Sequence, residues 1–190
     1  MHRRAQRSTI GYILRRVNNM VALSRSIFKA YDIRGIVGSS LDAGVARRIG
    51  QAFGRAVLAK GEKSVVIGRD GRLSGPELAG ALAEGLQAAG VDVIDLGVVA
   101  TPMLYYGTKV LHATSGIMVT GSHNPPDYNG FKMVLAGDAI HGATIGALYD
   151  SIQAHDGSAA AAPGGYSTHD IRAAYLARII GDVEIARPIK

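Results

Sequence analysis

Three short apolar runs, each parted from the next by a stretch of helical period, limit the folds open to this chain more than any other feature. Residues 64–68 (Ser-Val-Val-Ile-Gly), 91–96 and 116–120 are five or six residues long and rich in Val, Ile and Leu. Runs of that length bounded by glycine read as buried strands, because a helix needs twice as many residues to bury a face. Between the first two, Leu78, Leu82 and Leu86 recur at i+4 spacing. Between the second and third, Thr101-Pro102 opens a helical segment to about residue 112, with Thr101 as N-cap and proline in the first turn. Strands alternating with helices predict a three-layer α/β/α sandwich around a mixed, mostly parallel sheet.

The flanking segments fit that frame. Residues 28–37 read as extended chain closed by Gly35 and Gly38. Asp42 is placed to cap a helix over 43–59, whose buried face would carry Val45, Ile49, Phe53 and Val57. Ser74 and Glu77 have capping-box spacing at the head of the Leu78 helix, and Gly61 and Gly90 are natural helix stops. A fourth strand is expected over 131–135, joined to the third by a polar loop ending in the turn signal Asn129-Gly130. A connection without a helix points to an antiparallel neighbour. A last helix over 143–154 closes the unit.

Charge divides the chain. The first 25 residues hold six arginines and no acid, whereas the remainder holds 15 basic and 15 acidic residues. The basic isoelectric point therefore belongs to a tail, and the folded part is no nucleic-acid binder. Within the tail, Ile10, Ile13, Leu14, Val17, Met20 and Val21 recur at helical spacing. Two readings stand: a basic amphipathic helix, disordered until it meets a partner or surface, or an over-extended translation start with Met20 as the second beginning. The second is preferred. No apolar run is long enough to span a bilayer, no secretory signal follows the basic start, and cysteine is absent, so a cytoplasmic location is expected. Residues 156–165 (Asp-Gly-Ser-Ala-Ala-Ala-Ala-Pro-Gly-Gly) read as a low-complexity linker. Residues 171–180 read as a further helix with no sheet to lie on, the start of a second unit over 166–190. The first unit then covers 26–155, behind an extension over 1–25.

Polar chemistry concentrates at 120–132, after the end of a buried strand, where open α/β sheets place ligands. Ser122 follows Gly121, which lets a ligand approach the backbone, and precedes the stiff pair Pro125-Pro126. The surrounding Gly-Ser-His-Asn lacks the Gly-x-Ser-x-Gly elbow of an acyl-transfer nucleophile. His123, as the adjacent residue on extended chain, is expected on the opposite face from Ser122 and not as its base. A phosphoserine balanced by Lys132, His123 and cations of an upstream loop suits these residues better. Arg34 sits in a glycine-bounded turn suited to bidentate phosphate contact. Arg69 and Asp70 read more readily as a local structural pairing than as substrate contacts. The six histidines show no zinc-site spacing; His112, His141, His155 and His169 read as surface or helix-end residues.

Three segments carry a resemblance: Ala30-Tyr31-Asp32-Ile33-Arg34-Gly35, the run from Gly68 to Gly75 (Gly-Arg-Asp-Gly-Arg-Leu-Ser-Gly), and the run from Thr120 to Lys132 (Thr-Gly-Ser-His-Asn-Pro-Pro-Asp-Tyr-Asn-Gly-Phe-Lys). In order and spacing they resemble the α-D-phosphohexomutases, and within that family the bacterial phosphomannomutase/phosphoglucomutase group. The likeness runs from about Ile27 to the end. It implies an N-terminal domain I in which phosphorylated Ser122 exchanges its phosphoryl group with a hexose phosphate through a 1,6-bisphosphate. It further implies Lys132 as general acid/base, His123 beside the phosphoserine, and Tyr31, Arg34 and Asn124 as contacts to a mannose or glucose 1- or 6-phosphate. One Mg²⁺ is implied on the phosphate of Ser122.

The family's aspartate-rich metal loop, sugar-reading loop and phosphate-clamping loop, carried by domains II–IV, do not occur in this sequence. A chain with one wall of the site is expected to have negligible mutase activity alone. Two alternatives remain: a phosphoglucosamine mutase of the same family, or a non-catalytic interaction domain.

Overall fold

The computed structural model describes residues 21–155 and 157–184. The amphipathic segment and second start expected in the extension fall on residues outside these, apart from Val21. A 3₁₀ turn (Arg25–Ile27) precedes β1 (Ile33–Ile36), α1 (Ala43–Ala59), β2 (Ser64–Arg69) and α2 (Gly75–Ala88). Then come β3 (Asp92–Val98), α3 (Thr101–Val110), β4 (Ser115–Val119), β5 (Tyr128–Leu135) and β6 (Asp138–Ala139). The described chain ends with α4 (Ala143–Ala154), β7 (Tyr166–Thr168) and α5 (Arg172–Asp182).

The strands form one mixed sheet in the order β1-β5-β4-β2-β3-β7, with β6 paired to β5. The run β4-β2-β3-β7 is parallel. β5 is antiparallel to each of its neighbours β4, β1 and β6, as a strand reached without a crossover helix must be.

Helices cover both faces. α1, α2 and α4 bury the larger core, which holds Val45, Ile49, Phe53, Val57, Leu78, Leu82 and Leu86 with Val65, Ile67, Ile117 and Phe131 of the sheet. Asp42 caps α1 as its sequence position requires, its carboxylate accepting from the Val45 amide at 2.7 Å. α1 and α2 cross closely because Gly50 and Gly85 face each other's helix; a Cβ at either would strike the other helix's backbone. The smaller core on the opposite face joins α3 to Val66, Leu96 and Met118 of the sheet and to Ile171.

Several local expectations change. The strand expected over 28–37 shortens to Ile33–Ile36, with the 3₁₀ turn and a bend before it. The Ser74/Glu77 capping box does not form: Ser74 has helical backbone angles and makes no cap bond, and its hydroxyl instead accepts from the Asn129 amide at 2.9 Å. Ala100, not Thr101, is the N-cap of α3, and the helix ends at Val110.

Asn129-Gly130 is not a turn. Both residues lie inside β5 and pair with Gly35 and Arg34 of β1. Glycine is needed there because a Cβ at 130 would collide with the Ile33 carbonyl. β7 does extend the sheet alongside β3, and Ile171 just before the final helix is fully buried. Within α5 itself no residue is buried, and it rests on α3 through Tyr106 and Tyr175, not on the sheet.

Residues 157–165 are docked along the same edge. Ala160 donates to Ala88 at 2.7 Å, Gly164 to Gln87 at 2.9 Å and Gly165 to the Asp92 carboxylate at 2.6 Å. In β7 the Tyr166 phenol donates to Asp95 at 2.6 Å; desolvation first, then this bond and the carboxylate's charge, pushes the phenol up to about 12.

Candidate functional site

β3 lies on one side of β2 and β4 on the other, and α2 and α3 cover opposite faces. The carboxyl ends of β2 and β4 therefore flank the switch point of the sheet, where loops diverge and leave a crevice. Two loops meet there. An open pocket of about 650 Å³ is lined by Asp70, Arg72, Leu73 and Ser74 after β2 and by Ser122 and Asn124 after β4.

Ser122 stands exposed with φ at 51°, in the left-handed region that a serine seldom occupies. That conformation costs on the order of 1–3 kcal/mol and persists only where the surroundings fix it. Here they do. The Ser122 amide donates to Thr120 Oγ1 at 2.9 Å, and the Gly121 amide donates to Asp70 Oδ2 at 3.1 Å. Asn124 closes the turn, its side-chain amide donating to the Gly121 carbonyl at 2.9 Å.

The main restraint is Arg72. Its guanidinium reaches across from the β2 loop and donates to four carbonyls: Pro125 at 2.6 Å, Tyr128 at 2.9 Å, Asn124 at 2.7 Å and Ser122 at 3.2 Å. Asp70 steadies it in turn, accepting from the Arg72 amide at 3.0 Å and lying 3.6 Å from its Nε. Asp70 therefore pairs with Arg72 and the serine loop, not with Arg69. Gly121 is required as well, since a Cβ there would displace the Arg72 side chain. Beneath the loop, buried Asn129 ties β5 to Ser74 at the head of α2.

His123 is closer to Ser122 than expected. Its Nδ1 lies 3.3 Å from the Ser122 hydroxyl, because the left-handed turn at Ser122 breaks the alternation of extended chain. The contact is exposed and long.

Lys132 and Arg34 form a second group. Ile33 pairs with Phe131 in the β1/β5 ladder, so continuing that register sets Asp32 opposite Lys132. Lys132 Nζ lies 3.4 Å from Asp32 Oδ2, and Arg34 Nη2 lies 2.5 Å from the same oxygen. Asp32 itself is buried. Among the described residues, no hydrogen bond or ion pair joins this group to Ser122. Tyr31 stands 77 % exposed beside the His141 ring, outside both groups.

The residues missed from sequence are thus Arg72, Asp32, Asn129 and Ser74. Arg72 and Asp32 lie inside motifs already noticed. Their partners are 50 to 100 positions away, however, and only the sheet order brings them together.

No three acidic or imidazole groups converge among the described residues. Among the described residues, then, no ready-made cluster accompanies the Ser122 hydroxyl, the group expected from sequence to face a Mg²⁺ ion.

Comparison with known proteins agrees with this fold. The family model described as phosphoglucomutase/phosphomannomutase, alpha/beta/alpha domain I, matches residues 25–158. The chain is 50% identical over 168 residues to a phosphomannomutase/phosphoglucomutase of Pseudomonas aeruginosa, covering 88% of this chain and 36% of the relative. It is 46% identical to a phosphoglucomutase of Neisseria meningitidis serogroup B, covering 90% and 37%. A crystal structure of a phosphoglucomutase/phosphomannomutase family protein from Burkholderia thailandensis superposes with a TM-score of 0.83 at 53% identity, covering 88% of this chain and 38% of that one. The chain spans little more than a third of the length of these relatives. It belongs to the phosphoglucomutase/phosphomannomutase family, as a match to that family's first α/β/α domain.

Proposed function

We propose that this chain is the phosphoryl-carrying domain of a hexose-phosphate mutase and that Ser122 is the carrier. The observation that supports this most is the restraint on Ser122. A strained serine, held by Arg72 and Asp70 at the mouth of the switch-point pocket, has its hydroxyl presented and little freedom left to lose. The relatives' names, phosphomannomutase/phosphoglucomutase and phosphoglucomutase, supply the substrate class, a mannose or glucose phosphate.

In the proposed reaction, phosphoserine 122 is attacked by the 6-hydroxyl of a hexose 1-phosphate. The O6–P bond forms, the Oγ–P bond breaks, and the hydroxyl proton passes to a base. The resulting 1,6-bisphosphate turns over in the site and returns its 1-phosphoryl group to Ser122, leaving the 6-phosphate. Lys132 is proposed as the acid/base, His123 as a neighbour of the phosphoserine, and Tyr31, Arg34 and Asn124 as contacts to the phosphosugar. Mg²⁺, when bound, would neutralise charge on the transferring group.

Residues 26–155 are proposed as the phosphoserine domain, 156–165 as its linker and 166–190 as the beginning of the next domain. The remaining site groups are assigned to the part of the relatives that this chain does not match. The chain alone is proposed to have negligible turnover, and the enzyme to work in the cytoplasm. Among the described residues no helix is long and apolar enough to cross a membrane.

The half-reaction tests the carrier. The chain is incubated for long periods with a hexose 1,6-bisphosphate and Mg²⁺, and phosphate is mapped by peptide mass spectrometry. Phosphate at Ser122, absent from Ser122→Ala, is expected. Phosphate elsewhere only, or equal labelling of the variant, refutes the assignment.

A further inference from the structure

Two cations that the proposed reaction needs, Lys132 and Arg34, share one oxygen of a buried carboxylate. Asp32, Arg34 and Lys132 lie on one side of the β1/β5 ladder, away from Ile33, Phe131 and Met133 of the larger core. Lys132 pairs with Met118 of β4, which faces the smaller core under α3. The contacts of α3 to the sheet fall mainly on β2 and β4. These three polar side chains keep partial access to solvent, with Lys132 about a third exposed and Asp32 a tenth exposed.

Two positive groups gathered on one oxygen would repel each other without it, and a lysine free to rotate gives up side-chain entropy to be held. No other carboxylate contacts either cation among the described residues.

We propose that Asp32 is a positioning residue whose carboxylate holds the Lys132 ammonium and the Arg34 guanidinium side by side, ready for a phosphosugar. It touches no reacting atom in this assignment and acts through the two cations. A bound phosphate would meet a preassembled pair, and Asp32 would keep the pair from dispersing when the site is empty. Its value to catalysis rests on the reading of Lys132 and Arg34 given above; its hold on Lys132 does not.

The hold is measured first, without any sugar. The chain, Asp32→Asn and Asp32→Glu are treated briefly with an amine-acylating reagent at fixed pH, and the rates at Lys132, Lys60 and Lys109 are read by peptide mass spectrometry. Asp32→Asn should raise the rate at Lys132 by about threefold to tenfold, tenfold corresponding to about 1.4 kcal/mol of differential interaction. Lys60 and Lys109 should stay unchanged, and Asp32→Glu should restore most of the protection. An unchanged rate at Lys132 overturns the proposal. So does an equal rise at all three lysines, which would mark Asp32 as a prop of the fold.

Phosphoryl transfer to Ser122 is measured second. Asp32→Asn should slow it by at least the factor seen in labelling. Should the parent chain accept no phosphoryl group while Lys132 labelling responds as expected, the functional reading fails and the placement of Lys132 by Asp32 stands. If transfer proceeds at the parental rate in Asp32→Asn, the positioning role is refuted.

Discussion

Replacing Arg72 with alanine is the sharpest probe of how the serine loop is held. Four bonds are lost together, all donated by a guanidinium whose side chain is 16 % exposed. The carbonyls of Pro125 and Ser122 face solvent, where water substitutes for the donor at little loss. Those of Tyr128 and Asn124 are partly buried, and a bond from a charged donor there contributes about 1.5–3 kcal/mol. Loop relaxation recovers part of that sum, which leaves an expected destabilisation of about 3 kcal/mol, near the upper end for point substitutions.

In a domain of this size the loss lowers the melting temperature by about 6–12 °C. Urea unfolding monitored by circular dichroism gives the free energy, and amide exchange over residues 121–128 shows whether the loop opens before the rest. Arg72→Lys separates charge from shape: an ammonium on a flexible stem cannot serve four carbonyls, so it should recover less than half the loss. The reasoning is refuted if Arg72→Ala lies within about 0.5 kcal/mol of the parent with exchange unchanged, the range of an ordinary surface substitution. Full recovery by Arg72→Lys would refute the fork geometry.

Ser122→Gly should trade function for stability. Glycine accepts the φ of 51° without strain, so equilibrium unfolding should show a gain of about 0.5–1 kcal/mol, while phosphoryl acceptance at residue 122 disappears. The Tyr166 phenol, raised to about 12, keeps its proton in the folded chain while an unfolded phenol loses it near 10. Its contribution to stability is therefore complete below pH about 10 and is lost as pH rises toward 12. For a half-exposed ring the size is below about 1 kcal/mol. Tyr166→Phe should flatten the dependence of the urea midpoint on pH in that window, and an unchanged slope would exclude Tyr166 as its source.

Local periodicity made most of the layered fold legible. The cap at Asp42, the Leu78/Leu82/Leu86 face and the short apolar strands each depend on neighbours within a few residues, and each forms as read. Misreadings arose where a distant partner overrides the local signal. Asn129-Gly130 has turn chemistry, yet the close passage of β1 makes it strand. Ser74 has capping chemistry, yet Asn129 takes its hydroxyl. Likewise Ser122 was conspicuous from its loop alone, whereas Arg72 became visible only once β2 and β4 were neighbours. Burial of Asp32 beside two cations required the β1/β5 register, which no short window contains.

The β4/β5 register limits how far the carrier can travel. The serine loop leaves β4 at Val119 and enters β5 at Tyr128, and because Val119 pairs with Phe131 it is anchored at both ends on adjacent strands about 5 Å apart. With the guanidinium of Arg72 filling its centre, the loop is a stub and not a swinging arm. In the proposed cycle both phosphoryl transfers must then happen at one fixed point in space. The sugar has to bring first one end and then the other to that point, so the pocket must loosen its grip between the two steps without letting the bisphosphate escape.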